Sequence, residues 1–232
     1  MKPTHRLHAF LFGSAILASL AIGGSLQAAT ILTVTDTRPG ETAVTVASTT
    51  AGSVSVSGTK VPTSTYTVSG LDLTSFGGGA DETLVFNVTY SQTGGTGVQV
   101  NGFGNISVTG GDNNQVDGAE VLTATVSLIS GSSTYTGDYA DLSIGFIRTF
   151  TGGVDSVAAE SWDIITASGT QSFTGPGNTT ANFAPSSFVS LDPDGSTVNL
   201  QEFDVQISYI PEPSTALLGG LGLLALLRRR RA

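Results

Sequence analysis

The 232-residue chain contains no cysteine, so neither disulfides nor thiolates contribute to its stability or reactivity. Its two histidines, His5 and His8, both fall within the first eight residues. Beyond them no Ser-His-Asp or Cys-His nucleophile can be assembled. Zinc held by His or Cys is excluded, and haem and iron–sulfur groups lack their usual ligands. Lysine is nearly absent. After Lys2 only Lys60 remains, in a turn-like Gly-Thr-Lys-Val-Pro setting, as a candidate for Schiff-base chemistry. Aromatic residues make up 7% of the chain, with one tryptophan. Basic residues are few and lie mostly at the ends: Lys2 and Arg6 at the start, Arg228 to Arg231 at the finish. The middle keeps three, Arg38, Lys60 and Arg148, against 18 acidic residues, a charge of −15 that becomes −14 without Glu212. Such a segment repels nucleic acid, and no nucleic-acid partner is expected. It suits divalent cations or a hydrated matrix.

What is present is clearest at the two ends. Lys2 and Arg6 precede an apolar run from Ala9 to Ile22, and Ser25-Leu-Gln-Ala-Ala29 follows. That is the layout of a secretory signal peptide, with cleavage after Ala28. Leu26 is larger than the small residue usual at its position, and a retained N-terminal anchor is the alternative. At the other end stand Pro211, Glu212, Pro213, Ser214 and Thr215, then an uncharged leucine-rich run from Ala216 to Leu227, then Arg228, Arg229, Arg230 and Arg231. From Pro211 to Leu227 is 17 residues, the lower limit of roughly 17 for a spanning helix. That length suits a temporary anchor. Gly219, Gly220 and Gly222 would let another helix approach closely. The arginines hold the cytoplasmic side, which places the bulk of the chain outside. Pro211 and Pro213 keep Glu212 out of helix, because each removes a donor and restricts the residue before it.

This arrangement resembles the PEP-CTERM family of bacterial sorting signals. The resemblance covers about the last tenth of the chain and rests on Pro211 to Thr215, the leucine-rich run and the terminal arginines. It implies recognition by an exosortase, a membrane-embedded processing enzyme, after handling by the secretion machinery. It also implies removal of the tail as the protein passes to the envelope surface or extracellular matrix, often in exopolysaccharide-producing Gram-negative bacteria. A plain C-terminal anchor with incidental prolines is the alternative. Three segments are expected: a signal peptide over 1–28, a body over 29–209, and a sorting and anchor segment over 210–232.

Within the body the hydrophobic period is that of strands. Thr83-Leu-Val-Phe-Asn-Val-Thr-Tyr90 and Val121-Leu-Thr-Ala-Thr-Val-Ser-Leu-Ile129 alternate sharply, as do Ser53 to Ser57, Leu142 to Ile147, Ser187 to Leu191 and Phe203 to Tyr209. Shorter runs of the same kind stand at Thr33, Ala43, Asn105 and Trp162. Gly-rich clusters and Asp192-Pro-Asp-Gly separate them. No helical period appears between them. The expected fold is all-β, an antiparallel two-sheet sandwich of jelly-roll-like type, flanked by an N-terminal signal helix and a C-terminal apolar helix. A β-helix is the runner-up, without a fixed repeat length to support it. About 181 residues suffice for one core.

Two constellations carry candidate chemistry. Asp112, Asn114, Asp117 and Glu120 offer oxygen ligands within nine positions, a donor set that calcium favours, though not at EF-hand spacing. The same residues fit a turn whose side chains satisfy local backbone donors. Asp155, Glu160 and Asp163 flank Trp162, and a Trp beside acids can hold a sugar ring; Tyr135 and Tyr139 form a second candidate sugar platform. Against this, a lone strand Trp usually packs in a core. Glycoside hydrolysis needs two carboxylates roughly 5 to 9.5 Å apart, and 18 acids cannot be narrowed to a pair by sequence. The expected function is an exported, exosortase-processed envelope or matrix protein. Its body is expected to be a non-enzymatic structural or exopolysaccharide-associated module with no catalytic residue. A carboxylate-based glycosidase or lyase is the alternative.

Overall fold

In the computed structural model the described residues are 28–36, 42–46, 55–57, 63–100, 105–109, 115–152, 161–175, 177–195 and 197–210. The leader, the tail from Pro211, and Asp112 and Asn114 lie outside them, so the two expected terminal helices do too. Among the described residues no helix is long and apolar enough to cross a membrane. Residues 29–209 form one compact unit.

That unit is all-β. Its strands are β1 (Ala29–Asp36), β2 (Thr42–Val46), β3 (Ser55–Ser57), β4 (Thr63–Leu71), β5 (Glu82–Thr93), β6 (Gly97–Val100) and β7 (Ile106–Thr109). They continue as β8 (Val121–Leu128), β9 (Leu142–Gly152), β10 (Ser161–Thr166), β11 (Gly169–Thr174), β12 (Thr179–Ser186), β13 (Phe188–Asp194) and β14 (Asn199–Tyr209). One sheet has the order β12-β9-β14-β1-β2, with β7 joined to β14 and β6 to β7; the other runs β11-β10-β13-β8-β5-β4-β3. We call them sheets A and B. All named pairings are antiparallel.

Alternation decides which face each strand buries. In β10, Trp162 and Ile164 are buried while Ser161 and Asp163 stand half-exposed on the other face. In β4, Ser64, Tyr66 and Val68 point inward between exposed or half-exposed threonines. A single cluster joins Val34, Phe146, Phe203 and Val205 of sheet A to Tyr66, Phe86, Leu122 and Trp162 of sheet B. Rings lock the sheets together. Tyr66 stacks on Phe86 at 5.0 Å and meets Phe203 edge-on at 6.3 Å, and Phe203 meets Phe146 edge-on at 5.5 Å. Such ring pairs add about 0.5–1.5 kcal/mol beyond the area they bury. The architecture is therefore a two-sheet sandwich.

Two bulges shape the β9–β14 ladder of sheet A. Leu200 pairs with Thr151 and Glu202 with Phe150, which leaves Gln201 as the extra residue. A bulge puts two residues opposite one, so Gln201 and Glu202 both face away from the core. The second, on β9, lies between the Asp204–Arg148 and Val205–Phe146 pairs and leaves Ile147 unpaired. Gly152 lets the Gln201 amide lie close to β9: a Cβ there would fall 1.9 Å from Gln201 Nε2 and displace that side chain.

Candidate functional site

The expected calcium segment is described over its second half. Glu120 N donates to Asp117 O at 2.8 Å, and Asp117 N donates to Glu120 Oε2 at 3.2 Å. Asp117 Oδ1 accepts from Ala119 N at 3.3 Å. These bonds close a turn in which both carboxylates serve the local backbone. The β5–β6 turn presses against it. A Cβ on Gly94, whose φ is +91°, would lie 2.0 Å from Ala119 O, and one on Gly95 would lie 2.6 Å from Glu120 Oε1. Burial, with a smaller contribution from the Asp117 charge, raises the Glu120 pKa despite the hydrogen bond from Asp117 N. Among the described residues no group of three or more His, Cys, Asp or Glu side chains is placed to hold a metal.

The aromatic candidates for sugar contact are turned inward. Trp162 is 1% exposed and stacks on Phe173 at 5.7 Å, which leaves no ring face for a sugar. Tyr135 is buried, its hydroxyl donates to Phe76 O at 2.6 Å, and its ring meets Tyr139 edge-on at 5.2 Å. Burial, with the neighbouring Tyr209 and acids, pushes its pKa up to about 12. Tyr139 is half-buried. The physical reason is common to all three: on a sandwich with so few aromatics, the rings are the largest apolar groups available to the interior.

The polar groups that sequence reasoning did not single out lie mostly on the outer sheet faces. On sheet A, Arg148 stands directly opposite Asp204 across β9 and β14. Its Nε donates to Asp204 Oδ2 at 2.7 Å and its Nη2 to Asp204 Oδ1 at 3.1 Å; Glu202 Oε2 lies 3.7 Å from Nη2. Hydrogen bonding to Asp204 leads the causes that raise the arginine pKa further. Arg148 is the only Lys or Arg among the described residues. On sheet B, Asp163 of β10 stands directly opposite Asp192 of β13, both half-exposed. Facing positions bring Cβ atoms within about 4.5–5.5 Å. This cross-strand pair puts two carboxylates side by side, and only Asp163 was legible as a candidate, from its place beside Trp162. No local signal identifies Asp192, because its partner lies 29 residues away.

One buried acid–phenol pair lies inside the sandwich. The Tyr66 hydroxyl donates to Asp36 Oδ2, and Asp36 and Tyr66 are 4% and 0% exposed. Burial, then the Asp36 charge, raises the Tyr66 pKa strongly, and burial does the same to Tyr90 beside it. Phenols so disfavoured as phenolates act as donors and not as bases.

No curated protein and no solved structure matches the chain. A family model does match at the C-terminus, over 210–231, where it coincides with the Pro-Glu-Pro segment, the leucine-rich run and the arginines. The chain therefore carries a PEP-CTERM protein-sorting motif, the signal of an exported protein processed by the membrane enzyme exosortase.

Proposed function

We propose that residues 29–209 are a non-enzymatic module of the envelope surface or extracellular matrix, associated with exopolysaccharide and delivered there by the two terminal segments. On this reading the leader over 1–28 brings the chain to the secretion machinery. The segment over 210–232 holds it at the inner membrane until exosortase releases it. The sorting motif at 210–231 is the observation that carries the proposal. The state of the ionisable groups supports the non-catalytic part. Glu82 accepts four hydrogen bonds, Arg148 is held by Asp204, and Asp36 is held by Tyr66. A group whose charge is already matched by fixed local partners is poorly placed to exchange a proton with a substrate.

The body fits a jelly-roll-like description, since from β7 onward the chain changes sheet after every strand except at the β10–β11 hairpin. Its outer positions carry amides and hydroxyls, such as Gln206, Asn182, Thr33 and Thr125, that can exchange hydrogen bonds with hydrated polymer. Many copies in a matrix would add weak contacts by multivalency. Incubating the purified body with envelope polysaccharide is the test. No reducing ends should be released, while deletion of the gene should alter matrix or aggregation behaviour. Turnover that is lost in Asp163→Asn or Asp192→Asn would overturn the proposal in favour of the glycosidase or lyase reading.

A further inference from the structure

A corner of sheet A gathers buried oxygens that the protein leaves without partners. β7 meets β14 through Ile106 and Leu200, both core residues. One step along this antiparallel register sets Ser107 opposite Asn199, on the face turned away from the core. Gln99 of β6 pairs with Ser107 on the same face. Val116 and Val198 form an isolated antiparallel bridge with both side chains in the core. Asp117 therefore stands opposite Thr197 on the outer side of that bridge, and Gln115 opposite Asn199.

This face should be wet, yet Ser107 is 0% and Asn199 2% exposed. Ser107 Oγ, Asn199 Oδ1 and Thr197 Oγ1 have neither solvent contact nor a hydrogen-bond partner, and the amide nitrogen of Gln99, on the same face, is buried without a partner too. Buried polar atoms are nearly always satisfied, and each exception calls for an occupant or a reason. An amide oxygen such as Asn199 Oδ1 can be satisfied only by a donor or a cation. The hydroxyls of Ser107 and Thr197 can turn their lone pairs the same way. Asp117 supplies negative charge at the rim. An oxygen-only donor set of amide, hydroxyl and carboxylate is what calcium takes and what softer metals do not prefer.

We propose that this corner, formed by Ser107, Thr197, Asn199 and Asp117, binds a calcium ion. The site shares Asp117 with the set expected from sequence and otherwise differs from it. It does not depend on what the body binds or on whether it catalyses. A single carboxylate places it among extracellular calcium sites, with a Kd on the order of 10⁻⁴–10⁻³ M.

Melting curves and calorimetric titration with calcium chloride, on the metal-stripped full chain in detergent, test the proposal. Calcium should raise the melting temperature, and magnesium at equal concentration should do so much less, because it dehydrates reluctantly. Ser107→Ala deletes a partnerless buried hydroxyl. Its metal-free form should melt no lower than the wild type, while its calcium Kd weakens by about tenfold. Asn199→Asp adds a second carboxylate, so its metal-free form should melt lower and its calcium Kd tighten by about tenfold. If Asn199→Asp does not fold, Ser107→Ala decides alone. Absence of any calcium response in the wild type, an equal response to magnesium, or a calcium Kd unchanged in Ser107→Ala would each return the corner to buried water.

Discussion

Glu82 holds the 3-10 turn Thr74–Phe76 and the segment around Tyr135 against the start of β5, and its removal should be costly. The carboxylate is 3% exposed. Oε1 accepts from Gly79 N at 2.7 Å, Thr136 N at 3.2 Å and Thr136 Oγ1 at 2.9 Å, and Oε2 accepts from Thr134 Oγ1 at 3.0 Å. Glu82→Ala deprives two backbone N–H groups and two hydroxyls of their acceptor at once. A buried donor left unsatisfied costs about 1–3 kcal/mol. The two backbone donors cannot reorient as the hydroxyls can, so the loss should be roughly 4 kcal/mol. For a body of this size that lowers the melting temperature by roughly 10 °C. Glu82→Gln separates charge from shape. Its amide oxygen can keep the three Oε1 bonds and Thr134 Oγ1 can turn to accept from the amide nitrogen, so only the charge-assisted part is lost, about 1–1.5 kcal/mol.

The pH dependence follows from the same bonds. Burial pushes the Glu82 pKa up, but the four donors together outweigh it and hold the folded value below the ordinary 4.5. A carboxylate depressed in the folded state contributes stability that is complete above its unfolded pKa and lost as pH falls through the folded one. The melting gap between wild type and Glu82→Gln should therefore be constant above about pH 5.5 and shrink steadily below about pH 4.5. Differential scanning calorimetry at pH 7 and along a descending series measures both effects. A Glu82→Ala protein melting within about 2 °C of wild type at pH 7 would refute the account of the clamp.

Substituting Glu212, the sole charge between two prolines at the sorting motif, should block tail removal while export continues; a Glu212→Ala precursor that loses its tail normally, seen as a mass shift on immunoblot, would contradict this. Trp162→Phe removes a buried N–H that has no hydrogen-bond partner while keeping a ring on Phe173, so it should cost under about 1.5 kcal/mol, against about 3–5 for Trp162→Ala. If Trp162 is only packing, the Phe variant should also retain any glycan binding of the parent, which a glycan array would check.

Long alternating strands were readable because one face is buried and the other is not. The run Thr83 to Tyr90 lies inside β5, and Val121 to Ile129 matches β8 to within a residue. β11 and β12 give no such signal. β11 reads Gly-Thr-Gln-Ser-Phe-Thr and is exposed or half-exposed throughout, so no apolar alternation is imposed on it. β12 carries Pro185 at the free edge of sheet A, where a missing N–H does no harm. The Asp192-Pro-Asp-Gly cluster reads as a turn, yet β13 runs through Asp194 and the chain turns only at Gly195, with φ +78°. At the start of β14 the bulge at Gln201 erases the period, since Asn199, Leu200 and Gln201 are all buried. The oxygen-rich corner was not legible for a different reason. Ser107 and Asn199 are 92 residues apart, and only the pairing of β7 with β14 brings them into one row.

The same pairing logic bears on the proposed removal of the two terminal segments. β1 pairs with β14 along its length, from Ala29 opposite Tyr209 to Asp36 opposite Phe203. The first and last strands of the body are thus neighbours inside sheet A, with β9 on the far side of β14. Both boundaries leave this ladder at one end, after Ala28 on one strand and at Ile210 on the other. Ile210 is 44% exposed, and every core residue of these two strands lies between the boundaries. Among the described residues, therefore, cutting the chain at either boundary removes no strand and no core side chain. The arrangement has a kinetic side. The sheet cannot close until its last strand is available, and pairing residues 167 to 180 positions apart is slow because loop closure precedes the contacts that reward it. On the proposed route, with the leader emerging first, β1 lacks its β14 neighbour until Tyr209 has followed. On that route the sorting motif, directly after Tyr209, emerges only once the whole sandwich can form.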